Sequence, residues 1–263
     1  MKKIIIGMLI LAVVISGCDL IDNPVAPNPA EPTEPIGNTI TIANWNLQVF
    51  GQSKASNETK MQFYDDVISQ YDIVFVQEIR DASETAFPLL CDRLEGYGCM
   101  ASPRDGRTSS KEQIGVIFKD SIELETVETL PDPNDVWERS PIRAKFNASG
   151  YHFTAYNAHL KPDDVASEMQ AFEDAISNEG NVIILGDLNY DCDYVNPDED
   201  TSFDTWNWLI WDYEDTTVSD TDCAYDRIIV NDDMYEEIVA PGFYKEITKD
   251  FSDHYVVWVE VQV

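Results

Sequence analysis

Two unbroken apolar runs, Ile73–Val76 and Val182–Leu185, do most to constrain this chain. A run with no polar face has to be covered on both sides. Each therefore predicts a strand buried inside a layered α/β domain. Both runs then stop on groups that burial does not explain. The first continues into Gln77-Glu78 and the second into Gly186-Asp187-Leu188-Asn189. A third candidate strand, Thr39–Leu47, alternates apolar and polar residues and carries Asn46 near its end. Taken singly, such residues merely end strands and begin turns. Three strands that deliver carboxylates and amides to one sheet edge are what a hard cation needs. Asp187 and Asn189 are next-but-one neighbours, so in extended chain both point the same way.

Strand and helix signals alternate through the rest of the chain. Asn57 is placed to cap a helix with Met61, Tyr64 and Ile68 on one face. Glu84–Leu94 and Ser202–Ile210 predict further helices. Asp163 or Asp164 caps another, with Val165, Met169, Phe172 and Ile176 along one stripe. Gly115–Phe118, Ile142–Phe146, Tyr151–His159, Tyr225–Val230 and Tyr255–Val261 predict strands. Hairpins mixed with crossover helices predict mixed sheets covered by helices. The 263 residues suffice for one large α/β domain, or two small ones.

The chain has 3 histidines. His152 falls in mid-strand and reads as structural. His159 ends its strand, and His254 sits between Asp253 and the strand from Tyr255. An imidazole beside a cation site lined by carboxylates is the equipment for cutting a phosphodiester.

The N-terminus reads as a targeting segment. Lys2 and Lys3 precede an apolar stretch, Ile4–Ile15, too short to span a bilayer comfortably. Ile15-Ser16-Gly17-Cys18 then resembles a bacterial lipobox. Residues 1–17 are expected to be a lipoprotein signal peptide and Cys18 the lipidated residue; an ordinary secretory signal is the alternative. Residues 18–38 hold Pro24, Pro27, Pro29, Pro32 and Pro35, a density that excludes helix and sheet and predicts an extended linker. The expected location is extracytoplasmic, anchored to a membrane at the cell surface or in the periplasm. With Cys18 set aside, Cys91, Cys99, Cys192 and Cys223 remain, an even number suited to an oxidising compartment. Sequence proximity favours Cys91–Cys99, which leaves Cys192–Cys223. Zinc is the alternative use, although no Cys-x-x-Cys pair occurs.

Charge points away from polyanions. With 49 acidic against 17 basic residues the formal net charge is −32, which repels nucleic acid and anionic membranes at long range. Such a surface also serves solubility or life in salt.

The motifs nevertheless resemble one family closely. Asn46-Leu47-Gln48-Val49-Phe50-Gly51, Gln77-Glu78-Ile79-Arg80-Asp81, Lys111-Glu112, His159, Gly186-Asp187-Leu188-Asn189, Cys223-Ala224-Tyr225-Asp226-Arg227 and Ser252-Asp253-His254 together resemble the endonuclease/exonuclease/phosphatase superfamily. Within it, the stretch from Cys192 to Arg227 is most similar to the secreted deoxyribonuclease I branch. The similarity covers nearly all of residues 39–263, which are therefore expected to form the catalytic domain.

The resemblance implies a single-domain, four-layer sandwich of two mixed, mostly antiparallel β-sheets flanked by helices. It implies Mg²⁺ or Mn²⁺ at Asn46, Glu78, Asp187, Asn189 and Asp253. It pairs His159 with Glu112 and His254 with Asp226 for proton transfer, with Asp187 and Asn189 among the catalytic groups. Cys192–Cys223 corresponds to the family's structural disulfide. Asp215, Thr217, Ser219 and Thr221 resemble a structural Ca²⁺ loop. A second calcium region near Asp135 and Trp137 is matched only in part, since Ser140 stands where the family offers a carboxylate. DNA is the implied substrate, met by Arg80, Arg104, Arg107, Lys111, Arg139 and Tyr225, with the protein acting as a monomer. Gln48 and Ser110 replace an arginine and a tyrosine of the family that grip the duplex, so altered duplex grip is expected. Lys161 is available to extend the basic strip.

Three readings compete. The first is a metal-dependent DNA endonuclease outside the cytoplasm. The second is a phosphatase or phosphodiesterase acting on another phosphoester. The third is a non-catalytic surface lipoprotein on the same fold.

Overall fold

Among the described residues, twelve strands carry the architecture. In chain order they are β1 (Thr39–Phe50), β2 (Ile73–Ile79), β3 (Tyr97–Ala101), β4 (Gln113–Lys119), β5 (Glu123–Thr129) and β6 (Ile142–Ala148), then β7 (Tyr151–His159), β8 (Asn181–Asp187), β9 (Asn207–Trp208), β10 (Asp226–Val230), β11 (Ile238–Tyr244) and β12 (Val256–Gln262). The helices are α1 (Gln52–Ala55), α2 (Glu58–Ile68), α3 (Ala86–Cys91), α4 (Val165–Ala175) and α5 (Asp232–Tyr235). The structure, a computed structural model, describes residues 38–195 and 201–263. The signal peptide, Cys18 and the linker as far as residue 37 lie outside these residues.

Two six-stranded mixed sheets result, in the orders β11-β12-β1-β2-β4-β3 and β5-β6-β7-β8-β10-β9. Each sheet holds one parallel pair: β1 with β2, and β7 with β8. The helix between the members of each pair, α2 or α4, makes the crossover that parallel strands require.

Three apolar clusters define the layers. Ile42, Phe75 and Val116 of the first sheet meet Phe146, Ile183 and Leu185 of the second in the central core. On the far side of the first sheet, Trp45, Val74 and Val76 pack under Met61, Tyr64 and Ile68 of α2. On the far side of the second, Tyr156, Val182 and Ile184 pack under Val165, Met169 and Phe172 of α4. The order is helix, sheet, sheet, helix. This is the four-layer sandwich that the motifs implied, and it explains why the runs in β2 and β8 are apolar on both faces.

Local signals behave as their chemistry dictates at most ends. Asn57 caps α2, its side chain accepting from the Lys60 amide. Asp164 precedes α4 without a side-chain capping bond. One expected helix is absent. Ser202–Ile210 forms turns followed by β9, because Trp208 and Asn207 pair with Ile229 and Val230 at the sheet edge. Phe203, Trp206 and Ile210 have the spacing of a helical stripe, but tertiary pairing of the backbone prevails over that pattern. Strands β3, β5 and β11 carry no periodic signal that stood out in the sequence.

Both disulfides are formed, Cys91–Cys99 with Cα atoms 6.2 Å apart and Cys192–Cys223 with 6.0 Å. Asp191 lies against the second pair. Because those two sulfurs bond each other, they leave no thiolate for the zinc alternative. Among the described residues, no helix is long and apolar enough to cross a membrane.

Candidate active site

The site lies where β1 and β2 lose register together. The pairing slips between Asn46 and Phe50 on β1, and between Val76 and Ile79 on β2 against β4. Gln48, Val49 and Glu78 all adopt left-handed backbone conformations, with φ of 47°, 55° and 59°. For a β-branched valine that conformation is strained, and such strain persists only where the surroundings hold it. Here Glu78 Oε2 accepts from the Val49 amide at 2.7 Å, and Asn46 Oδ1 accepts from the Gln48 amide at 2.8 Å. The bulges turn Asn46 and Glu78 towards each other, with Asn46 Nδ2 donating to Glu78 Oε1 at 3.4 Å and to Asp187 Oδ2 at 2.9 Å.

The second sheet supplies the other half. His159 and Asp187 end β7 and β8 as direct partners, and Ala158 and Gly186 are partners one step before them. The strands come so close there that a Cβ on Gly186 would lie 2.1 Å from the Ala158 carbonyl oxygen. Only glycine allows that approach. Asn189 follows in a left-handed conformation, φ 49°, its side chain donating to the Leu160 carbonyl at 2.9 Å. Asp226 opens β10 directly opposite Asp187. His254 precedes β12 and is held by a bridge to Thr217.

Each histidine has one nitrogen committed. His159 Nδ1 meets Glu112 Oε1 at 2.5 Å, and His254 Nδ1 meets Asp226 Oδ2 at 2.7 Å. The remaining nitrogens both face Asp187 Oδ2, His159 Nε2 at 3.4 Å and His254 Nε2 at 3.6 Å. Carboxylates on Nδ1 orient each ring and leave its Nε2 turned to Asp187.

Charge follows from these contacts. Burial works against ionised Glu112, but His159, Arg139 and Arg80 overcome it and hold the carboxyl down at about 2. Burial likewise opposes the charged forms of both histidines. Glu112 and Asp187 outweigh it at His159, and Asp226 and Asp187 outweigh it at His254, so both rings titrate above an ordinary imidazole. Burial pushes Asp226 upward while His254 pulls it back. Asp187 is buried too, yet the two imidazoles and Asn46 keep it below the usual carboxylate range.

The donor set suits a hard divalent cation. Asn46, Glu78, Asp187, Asn189 and Asp253 offer only oxygen among their cation ligands. Asp187 Oδ1 is buried and has no hydrogen-bond partner among the described residues, so one carboxylate oxygen is held in reserve. Asp253 is the most open of the five, with its side chain 45% exposed.

The other expected residues divide. Arg80 and Arg139 do not face outward alone. Arg80 contacts Glu112 at 3.0 Å and Glu78 at 3.3 Å, while Arg139 contacts Glu112 at 3.2 Å and the His159 carbonyl at 2.9 Å. Arg104 donates to the Lys111 carbonyl at 3.0 Å, Arg107 is drawn to Asp135, and Lys161 pairs with Asp164. Lys111 is exposed. Tyr225 packs against Tyr194, the rings tilted with centroids 5.3 Å apart. Asp215, Thr217, Ser219 and Thr221 do gather: Asp215 Oδ1 accepts from the Thr217 hydroxyl at 3.1 Å, and that hydroxyl lies 2.9 Å from Ser219 Oγ. Near the second calcium region, the Ser140 amide donates to Asp105 at 2.8 Å. His152 lies away from the site, exposed beside Glu125.

Asn44 and Asn157 escaped sequence reading, and Gln77 was read only as a strand-end group. Asn44, Gln77 and Asn157 are fully buried and form a chain of amides beneath the histidines. The only signal for them was a lone amide in an apolar strand, one or two residues ahead of a site residue.

A two-sheet sandwich with two histidine–carboxylate pairs turned on one cation-compatible carboxylate defines a nuclease or phosphoesterase. The chain belongs to the Endonuclease/Exonuclease/phosphatase family, whose profile matches residues 43–254. Deoxyribonuclease-1 of Homo sapiens is 30% identical over 259 residues, covering 84% of this chain and 92% of the relative. Deoxyribonuclease-1 of Gallus gallus is 31% identical over 232 residues, covering 79% and 82%. Among solved structures, a humanized D. rerio TDP2 superposes with a TM-score of 0.66 at 15% identity, covering 86% of this chain and 99% of its own. A Bacteroides thetaiotaomicron mannosyl-6-phosphatase gives 0.61 at 17% identity, covering 85% and 100%. These two likenesses concern the fold.

Proposed function

We propose that this protein is a divalent-metal-dependent endonuclease that hydrolyses the phosphodiester bonds of DNA outside the cytoplasm. The observation that carries the reading is the convergence of His159 Nε2 and His254 Nε2 on Asp187, each ring backed by its own carboxylate. The similarity to deoxyribonuclease-1 over most of both chains supports DNA as the substrate.

Asn46, Glu78, Asp187, Asn189 and Asp253 would hold Mg²⁺ or Mn²⁺, which when bound neutralises charge on the phosphoryl oxygens. The protein's own groups move the protons. One imidazole takes a proton from water at Nε2, and the other delivers one from Nε2 to the departing 3′ oxygen. Glu112 and Asp226 hold the rings for this and stabilise their charged forms. Each transfer contributes about 10²–10⁴-fold. Asp187, set between the two rings, keeps both Nε2 atoms around one position, so that one ring would address the attacking water and the other the departing oxygen of a single phosphate. The Asp215–Thr221 loop would take Ca²⁺; its backbone bonds to the chain at Asp253 and Tyr255 couple it to His254.

We read the protein as an extracytoplasmic lipoprotein anchored through Cys18. Two disulfides in the described residues favour an oxidising compartment. Labelling with a radioactive fatty acid, in the parent and in Cys18→Ala, tests the anchor.

A phosphoester other than DNA is the second reading. The observation favouring it is that Arg80 and Arg139 are drawn onto Glu112, on a body of net charge −32. One series decides. The protein is incubated with supercoiled plasmid, Mg²⁺ and Ca²⁺ beside a His159→Ala control, with single-stranded DNA, RNA and phosphomonoesters in parallel. Nicking by the parent alone is expected; equal nicking by the control, or none by either, defeats the endonuclease reading.

A further inference from the structure

The floor of the site is built from amides that the chemistry above does not use. Asn44 on β1, Gln77 on β2 and Asn157 on β7 are each fully buried between the two sheets. Asn44 lies two positions before Asn46, Asn157 two before His159, and Gln77 directly before Glu78. On a strand, positions two apart face the same side. Asn44 and Asn157 therefore lie one layer below the site residues they precede.

Their hydrogen bonds run in one direction. Gln77 Nε2 donates to Asn44 Oδ1 at 2.6 Å and to Asn157 Oδ1 at 2.7 Å. Asn157 Nδ2 donates to Asn44 Oδ1 at 2.9 Å and to the Leu185 carbonyl at 2.7 Å. Asn44 Oδ1 thus receives two donors from the other strands. That leaves its amide one orientation, with Nδ2 turned to Asp226 Oδ1 at 3.2 Å. The second oxygen of the same carboxylate holds His254 Nδ1 at 2.7 Å. A carboxylate gripped at one oxygen by a fixed donor has little freedom to swing the ring bonded at the other.

We propose that Asn44 is a positioning residue of this site, clamping Asp226 from the floor so that the His254 ring presents Nε2 beside Asp187. The inference deepens the hydrolase reading and rests on it for its kinetic consequence. The clamp itself is a matter of geometry in the protein and has its own readout.

Two substitutions separate positioning from packing. Asn44→Leu removes the donor but strands the amides of Gln77 and Asn157, which costs stability in a buried network. Asn44→Asp keeps the shape and the oxygen that accepts from both amides, and sets a second carboxyl against Asp226 in place of the donor. In the full-length protein, the downfield ring N–H protons of His159 and His254 are followed by NMR, and kcat and KM by plasmid nicking. The His254 signal is expected to shift or broaden in both variants while the His159 signal stays. A fall in kcat of about ten- to a hundredfold is expected, with KM little changed. In an Asp226→Ala background, Asn44→Leu is expected to lower kcat no further. An unchanged His254 signal in folded variants overturns the clamp, as do loss of folding in both variants and costs that add fully with Asp226→Ala. If the parent itself nicks no DNA, the endonuclease reading fails, while the ring signals still decide the clamp.

Discussion

Asp226 stands opposite Asp187 across the β8–β10 ladder, and the two carboxylates address opposite nitrogens of the His254 ring. Like charges facing each other across a ladder repel. A cation between them relieves that repulsion, and His254 is placed to supply it when protonated.

This arrangement raises the His254 pKa to about 10: burial opposes the charge, and Asp226 and Asp187 more than offset it. A group bound more tightly to its proton when folded stabilises the fold below its unfolded pKa, near 6.5, and loses that contribution as pH rises through the folded value. In cation-free protein, His254 is therefore expected to stay protonated past neutrality. Urea unfolding between pH 6 and 10 should show an alkaline decline that flattens in His254→Gln. An NMR titration placing His254 near an ordinary imidazole would contradict the assignment.

Glu112 has the opposite sign. Its pKa is depressed from 4.5 to about 2 in spite of burial, by His159, Arg139 and Arg80. Its contribution is present above pH 4.5 and disappears as pH falls towards 2. The shift corresponds to roughly 3 kcal/mol at most. Glu112→Gln should be destabilised at neutral pH and should lose the acid-side slope that the parent shows in this window.

Catalysis should fail at either imidazole. His159→Ala and His254→Ala are each expected to lower plasmid nicking by about 10²–10⁴-fold. Groups that act as a unit are not additive, so the double variant should lose little beyond the worse single one. Unchanged circular dichroism would show that the loss is chemical.

Metal removal tests the oxygen cluster. Chelation should abolish nicking, and added Mg²⁺ or Mn²⁺ should restore it. Glu78→Gln should weaken cation binding measured by calorimetry, because Glu78 brings to Asn46 a second carboxylate that Arg80 only partly offsets. Calorimetric titration with the same affinity as the parent would remove Glu78 from the ligand set.

Arg104 and Arg107 test how so acidic a body holds DNA. Arg107 faces the exposed carboxylate of Asp135, a pair worth little in water. Arg107 can therefore turn to phosphate, and Arg104, which donates to the Lys111 carbonyl, is tested beside it. Replacing both by alanine should weaken DNA binding and reduce the salt slope by about 2, one for each contact. An unchanged slope would leave them as solvated surface.

Some of this was legible in the chain and some was not. The strands at Ile73–Val76 and Val182–Leu185 could be read because burial on both faces leaves an unbroken apolar run. The site residues at their ends could be read because carboxylates and amides there have no packing reason. Ser202–Ile210 was misleading: its apolar spacing fits a helix, and only pairing with Ile229 and Val230 makes Asn207–Trp208 a strand. Arg80 and Arg139 read as DNA contacts, and nothing along the chain shows that both also lie on Glu112.

The sequence by itself determined which candidate groups were present, because oxygen donors and imidazoles are a matter of residue type and local spacing. It also determined the layered architecture, through strands with no polar face. Only the tertiary structure decided how those groups divide the work. Asn44, Gln77 and Asn157 became a floor for Asp226 when the two sheets closed over them. The tertiary structure likewise drew the arginines inward and set one carboxylate at each nitrogen of His254. Hydrogen bonds between residues far apart in the chain depend on distances that no local pattern records.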